Sequence, residues 1–177
     1  NLYHTVQIFD RATLLLFYKS LHETTGLGQL VQHLYIYVSD FQLEGHQESE
    51  SIWAGIRDLV PNLRSIDCRG SEAFGDVFLD RISRFEGIRS VALRTTSSGY
   101  FNLLGMENLK RVDLRVSEHD TKPERMNQSI IELRQLSLDE FNIYCTPNPP
   151  RLFIRFLQSV KAKYVTLSTS EVVEVED

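Results

Sequence analysis

The stretch Leu109-Lys110-Arg111-Val112-Asp113-Leu114-Arg115-Val116-Ser117 decides how this chain reads. Its apolar residues Leu109, Val112 and Leu114 fall at offsets 0, 3 and 5, with polar residues in every gap. The second half alternates as a one-sided strand does, with Val112 and Leu114 inward and Arg111, Asp113 and Arg115 outward. Alone the pattern is weak. About 42% of the chain is apolar, so three matched positions arise by chance roughly a dozen times in such a length. Its weight comes from recurrence.

Tyr3-Val6-Ile8, Val31-Leu34-Ile36, Leu63-Ile66-Cys68, Ile88-Val91-Leu93, Leu133-Leu136-Leu138 and Ala162-Val165-Leu167 repeat it. With Leu109 included, the starts at 3, 31, 63, 88, 109, 133 and 162 lie 28, 32, 25, 21, 24 and 29 residues apart. Helical periodicity fills most of the intervals. A strand plus a helix returning every 20 to 30 residues or so is the signature of a leucine-rich repeat solenoid. The expected fold is therefore α/β: about seven irregular strand–helix units, a parallel sheet on the concave side and helices on the convex side. It forms one domain over residues 1–177, ending in an acidic tail at 171–177.

Within this frame Asp10 should cap a helix striped by Leu14, Leu15, Phe17, Tyr18 and Leu21. Gly26-Leu27-Gly28 stops it before a strand over residues 32–38. The polar interval 41–50 reads as an insertion, followed by a stripe of Ile52, Trp53, Ile56 and Leu59. A helix is expected over 72–85 and a strand over 89–95. Tyr100 begins a piece short enough for a 3₁₀ turn. Pro149 and Pro150 suit a helix start, and Leu152, Phe153, Phe156, Leu157 and Val160 follow as its stripe. The tail reads as an eighth strand or a fraying end.

Composition removes several functions. A net charge of −5 with mixed signs offers no basic field for nucleic acid. No apolar run is long enough to span a bilayer, so no membrane role is expected. Cys68 takes an inward strand position and Cys145 a Pro- and Asn-rich loop, which makes a disulfide framework unexpected and a reducing, cytoplasmic or nuclear setting the simplest reading. The chain opens on Asn1 without an initiator Met or visible signal peptide, and an upstream segment is expected.

Catalysis finds little footing. His4, His22, His33, His46 and His119 are scattered without metal-ligand spacing, and Gly26-Leu27-Gly28 lacks the third glycine and the preceding strand of a phosphate loop. No enzyme activity, metal or cofactor is expected. The informative positions are offsets 2, 4 and 6, which should project from the concave sheet. Equal offsets in successive units become lateral neighbours about 4.8 Å apart. Arg69, Arg94 and Arg115 then form a row, and Arg111 stands four residues before Arg115. Asp67, Asp113 and Asp139 lie close enough to neutralise the row in part, and Tyr35 and Tyr37 give an aromatic patch beside it. One reading is a site for acidic or phosphorylated protein segments. The other is a solvated face whose Asp and Arg residues satisfy one another across strands.

Offset 8, where plain leucine-rich repeats carry Asn or Cys, here carries Ser39, Ser71, Thr96, Ser117 and Ser170. Hydroxyls can serve the turning backbone more weakly. Arg11 and Phe141 are the exceptions.

Leu2-Tyr3-His4-Thr5-Val6, the helix after it, and Gly26-Leu27-Gly28-Gln29-Leu30-Val31 resemble the leucine-rich repeat region of fungal F-box proteins. Pro61-Asn62-Leu63-Arg64-Ser65-Ile66 and Glu107-Asn108-Leu109-Lys110-Arg111-Val112 are similar to the same repeats. The likeness extends over nearly the whole chain. It implies a substrate-recruiting repeat domain, joined to a ubiquitin-ligase adaptor through an upstream F-box that these residues do not contain. The alternative is a stand-alone repeat scaffold or inhibitor-like binding protein without that link.

Overall fold

The computed structural model describes residues 4–37, 47–68, 76–95, 98–116, 135–145 and 151–169. Seven strands pair in chain order: β1 (Thr5–Ile8), β2 (His33–Ile36), β3 (Ser65–Cys68), β4 (Ser90–Thr95), β5 (Arg111–Val116), β6 (Leu136–Cys145) and β7 (Val160–Thr169). Every neighbouring pair is parallel. Parallel neighbours need a crossover. Helices α1 (Arg11–Glu23) and α2 (Leu27–Leu30) lie between β1 and β2, α3 (Gln47–Leu59) before β3, and α4 (Asp76–Ser83) before β4. A 3₁₀ helix at Ser98–Gly105 precedes β5, and α5 (Arg151–Gln158) precedes β7. The architecture is α/β, built on a single all-parallel sheet.

One face of that sheet is core. Leu34, Ile66, Val91, Val112 and Phe141 stand opposite one another along the register, each 2% exposed or less. Leu14, Phe17, Ile52, Ile56, Ile82, Phe153 and Phe156 from the helices join the same cluster. Each fully buried aliphatic side chain stabilises by about 1.5–3 kcal/mol, and a one-residue slip would turn a whole strand's set outward. Under β5 and β6 the packing is aromatic. The Tyr100 ring lies 5.5 Å from Phe153 and 5.1 Å from Phe156, and Phe156 lies 6.2 Å from Phe141.

From β1 through β6 the backbone joins one strand to the next in the same way, while at β7 the Leu136 amide donates to the Ser159 carbonyl instead. The His4 carbonyl accepts from the amides of Gln32 and His33, and Gln32 from Arg64 and Ser65. Arg64 then accepts from Arg89 and Ser90, Arg89 from Lys110 and Arg111, and Lys110 from Asp139 and Glu140. Two asparagines hold the turns before strands: the amides of Asn62 and Asn108 donate to the carbonyls of Gln29 and Glu86, at 2.8 Å each. Gly28 permits a close approach, since a Cβ there would fall 1.9 Å from the Leu59 carbonyl oxygen. At Gly26 φ is +84°, the left-handed position that leads into α2.

Several expectations hold and several shift. Asp10 caps α1, accepting from the Thr13 amide at 2.7 Å. Strand β2 is shorter than 32–38, and α3 begins at Gln47, inside the interval read as insertion. Gln and Glu in that interval are good helix formers that carry no stripe, so periodicity passes over them. Cys145 is not in a loop: it ends β6, buried opposite Val116.

The main correction concerns the sixth unit. Spacing put Gln135 opposite Arg111, whereas Glu140 stands there, followed by Phe141 opposite Val112 and Ile143 opposite Leu114. The apolar set is thus Leu138, Phe141 and Ile143. This register carries Phe141 into the aromatic cluster, and a ten-residue β6 still buries Leu136 and Leu138. The seventh unit, at Ala162, keeps its expected place. Val165 and Leu167 remain about 60% exposed on this last strand. The expected helix start before residue 76 and the acidic tail lie outside the described residues.

Candidate recognition site on the open sheet face

The face opposite the helices carries the alternate strand residues, and the register sorts them into rows. One row runs Tyr35, Asp67, Ala92, Asp113, Asn142 and Thr166. Beside it run Arg94, Arg115, Tyr144 and Ser168, with Ser90, Arg111, Glu140 and Tyr164 on the other side. Between the rows lies a depression of about 290 Å³, lined by Ala92, Leu93, Arg94, Arg111, Asp113, Arg115, Asn142 and Tyr144. Ala92 makes room for it, because every flanking position carries a longer side chain.

The carboxylate at the site is held in place. Asp113, 18% exposed at its side chain, accepts from the Asn142 amide on one oxygen and faces the Arg111 Nε at 3.4 Å with the other. Arg111 also reaches the Glu140 carboxylate at 3.1 Å. Ion pairs this exposed contribute at most about 1 kcal/mol, so their effect is to orient rather than to stabilise. Arg115 is oriented differently, its guanidinium 5.3 Å from the centroid of the Tyr144 ring, a cation–π arrangement. Three guanidinium groups therefore converge with two carboxylates, both drawn to Arg111.

The expected site residues are partly brought together. Arg94, Arg111, Asp113 and Arg115 share the depression. Asp67, 8% exposed, lies one strand away, between Tyr35 and Ala92. Tyr35 and Tyr37 do form an aromatic patch, 6.3 Å apart and stacked, and Tyr37 continues onto Phe9 at 5.3 Å. That patch sits two strands from Arg94, so it flanks the depression without lining it. Arg69 lies outside the described residues.

Asp139 does not join the arginines. Tyr144 occupies the place expected for it opposite Arg115, and Asp139 pairs with Lys163 at 2.7 Å instead. Hydrogen bonding and attraction from Lys163 lower its pKa below the ordinary carboxylate value. Glu140, Asn142 and Tyr144 escape the spacing rule because it starts the sixth unit five residues early. Phe141, an apolar residue at a hydroxyl position, is the signal.

A second, larger groove of about 560 Å³ runs past Arg57, Pro61, Arg84 and Glu86. Its arginines pair with neighbouring carboxylates, Arg57 with Asp58 at 2.9 Å and Arg84 with Asp80 at 2.5 Å. Among the described residues no group of His, Cys, Asp and Glu is arranged to hold a metal ion. No described helix is long and apolar enough to cross a membrane. No family model, curated protein or solved structure matches the chain.

Proposed function

We propose that this chain is a protein-recognition module that binds an acidic partner segment on its open sheet face. The observation that carries the reading is the convergence of Arg94, Arg111 and Arg115 beside Tyr144 in one depression. Arginine forks and tyrosine rings are the side chains that recognition surfaces favour. A rigid sheet backed by packed aromatics presents them with little entropy to lose on binding.

Within that class, the leucine-rich repeat region of an F-box-type substrate receptor is the reading we favour. Strands paired in chain order, helices on one face and the recurring carbonyl junction support it, as does the likeness of Pro61-Asn62-Leu63 and Glu107-Asn108-Leu109 to that family's repeats. The module would then recruit a substrate for ubiquitin transfer, with the ligase adaptor engaged by an upstream F-box. The test is affinity capture from cells with the full-length protein, wild type against Arg94→Glu with Arg115→Glu. Loss of partners on charge reversal, with adaptor capture retained, is expected. Undiminished partner binding contradicts the site, and absent adaptor capture contradicts the ligase link.

A further inference from the structure

We propose that the depression between Arg94 and Arg115 receives a phosphate group carried on a side chain of the partner segment. The proposal rests on the partner-recognition reading above and names the group recognised. Arg94 and Arg115 are direct register partners on adjacent strands, so their backbones lie about 4.8 Å apart. A guanidinium fork binds oxyanions in pairs of hydrogen bonds. One carboxylate, with two oxygens, satisfies one fork; a phosphate, with three terminal oxygens and close to two charges at neutral pH, can be shared by two.

The surroundings fit the larger anion. Ala92 leaves space beside the arginines, and the depression of about 290 Å³ is large enough to admit a phosphate. Tyr144 supports the Arg115 guanidinium from one side, which holds its fork in a fixed plane. Asp113 would repel an anion entering from β5, but Asn142 and Arg111 occupy its two oxygens. Serine and threonine phosphates both supply this chemistry.

The experiment titrates the whole chain, 15N-labelled at arginine, with N-acetyl-phosphoserine methylamide, its glutamate counterpart and inorganic phosphate. The Nε–H signals of Arg94 and Arg115 are followed. The phosphoserine probe is expected to shift both signals saturably and to bind at least about tenfold tighter than the glutamate probe. Arg115→Gln should weaken it by roughly 10- to 100-fold, as loss of hydrogen bonds to a charged group does, while the remaining spectrum is retained. Arg115→Lys should recover only part of that loss, since a point charge lacks the fork. Equal binding of the glutamate and phosphoserine probes overturns the phosphate claim. So does inorganic phosphate shifting the arginines where the phosphoserine probe does not. If no probe shifts either arginine, yet charge reversal still abolishes partner capture, the phosphate claim fails and the recognition reading survives. If partner capture is also undiminished, both fail.

Discussion

Arg94 and Arg115 stand directly opposite each other across β4 and β5. Like charges at such positions oppose pairing, yet core packing beneath them sets the register: Val91 against Val112 and Leu93 against Leu114, all 3% exposed or less. Several kcal/mol of apolar burial outweighs a repulsion that solvent screens to about 1 kcal/mol or less. The positive face is imposed by the core.

Arg115→Glu should therefore change stability by less than about 1 kcal/mol. It removes a like-charge neighbour and leaves the buried face intact. Urea unfolding checks the stability; partner capture should fall in the same variant.

Tyr144→Ala should weaken binding of an anionic probe at the depression, and Tyr144→Phe should not. Phenylalanine retains the ring face under the Arg115 guanidinium, whereas alanine leaves that side chain unsupported. Parallel titrations of the two variants read the difference.

Phe156→Ala should destabilise the fold by about 3–5 kcal/mol. Phe156 is fully buried and packs against Tyr100, Phe101, Phe141 and Phe153. A lowered urea midpoint is the expected result, with β6 amides exchanging faster than those of β1.

Gly28→Ala should cost more than Gly26→Ala. An added Cβ at Gly28 falls 1.9 Å from the Leu59 carbonyl oxygen, whereas nothing lies within 4 Å at Gly26. The second substitution meets mainly left-handed strain, about 1–2 kcal/mol. The first forces α2 away from α3. Thermal melts of the pair decide the order.

The Asp10 cap should fail in acid. Hydrogen bonds from the Thr13 hydroxyl and amide lower the Asp10 pKa below its ordinary 3.8. A lowered folded-state value means that its stabilisation is present above the unfolded value and is lost as pH falls through the folded one. The stability gap between wild type and Asp10→Ala should be full at neutral pH and close below pH ~4.

Much of this was legible in the chain. The first five units lie in the expected register because Leu34, Ile66, Val91 and Val112 each sit in a short strand with a single inward pairing. The sixth did not, because β6 is long enough for Leu133-Leu136-Leu138 and Leu138-Phe141-Ile143 to satisfy the same offsets. The hydroxyl row separates them. Started at 138, the unit places Thr146 at offset 8 beside Ser39, Ser71, Thr96, Ser117 and Ser170, and Phe141 ceases to be an exception. Two of the eight residues lining the depression depend on that choice, since Asn142 and Tyr144 enter with it, and Asp139 leaves. The cation–π contact and the Asp113 clasp are side-chain geometry that spacing does not encode.

The register of β5 and β6 is the point on which the site depends, and engineered cysteines test it most directly. In a background with Cys68→Ala and Cys145→Ala, Arg115→Cys paired with Tyr144→Cys should cross-link on oxidation, because register partners lie within disulfide reach. Arg115→Cys paired with Asp139→Cys should stay open, being displaced by five residues, or about 16 Å along the strand. Cross-linking of the Asp139 pair in place of the Tyr144 pair would contradict the account.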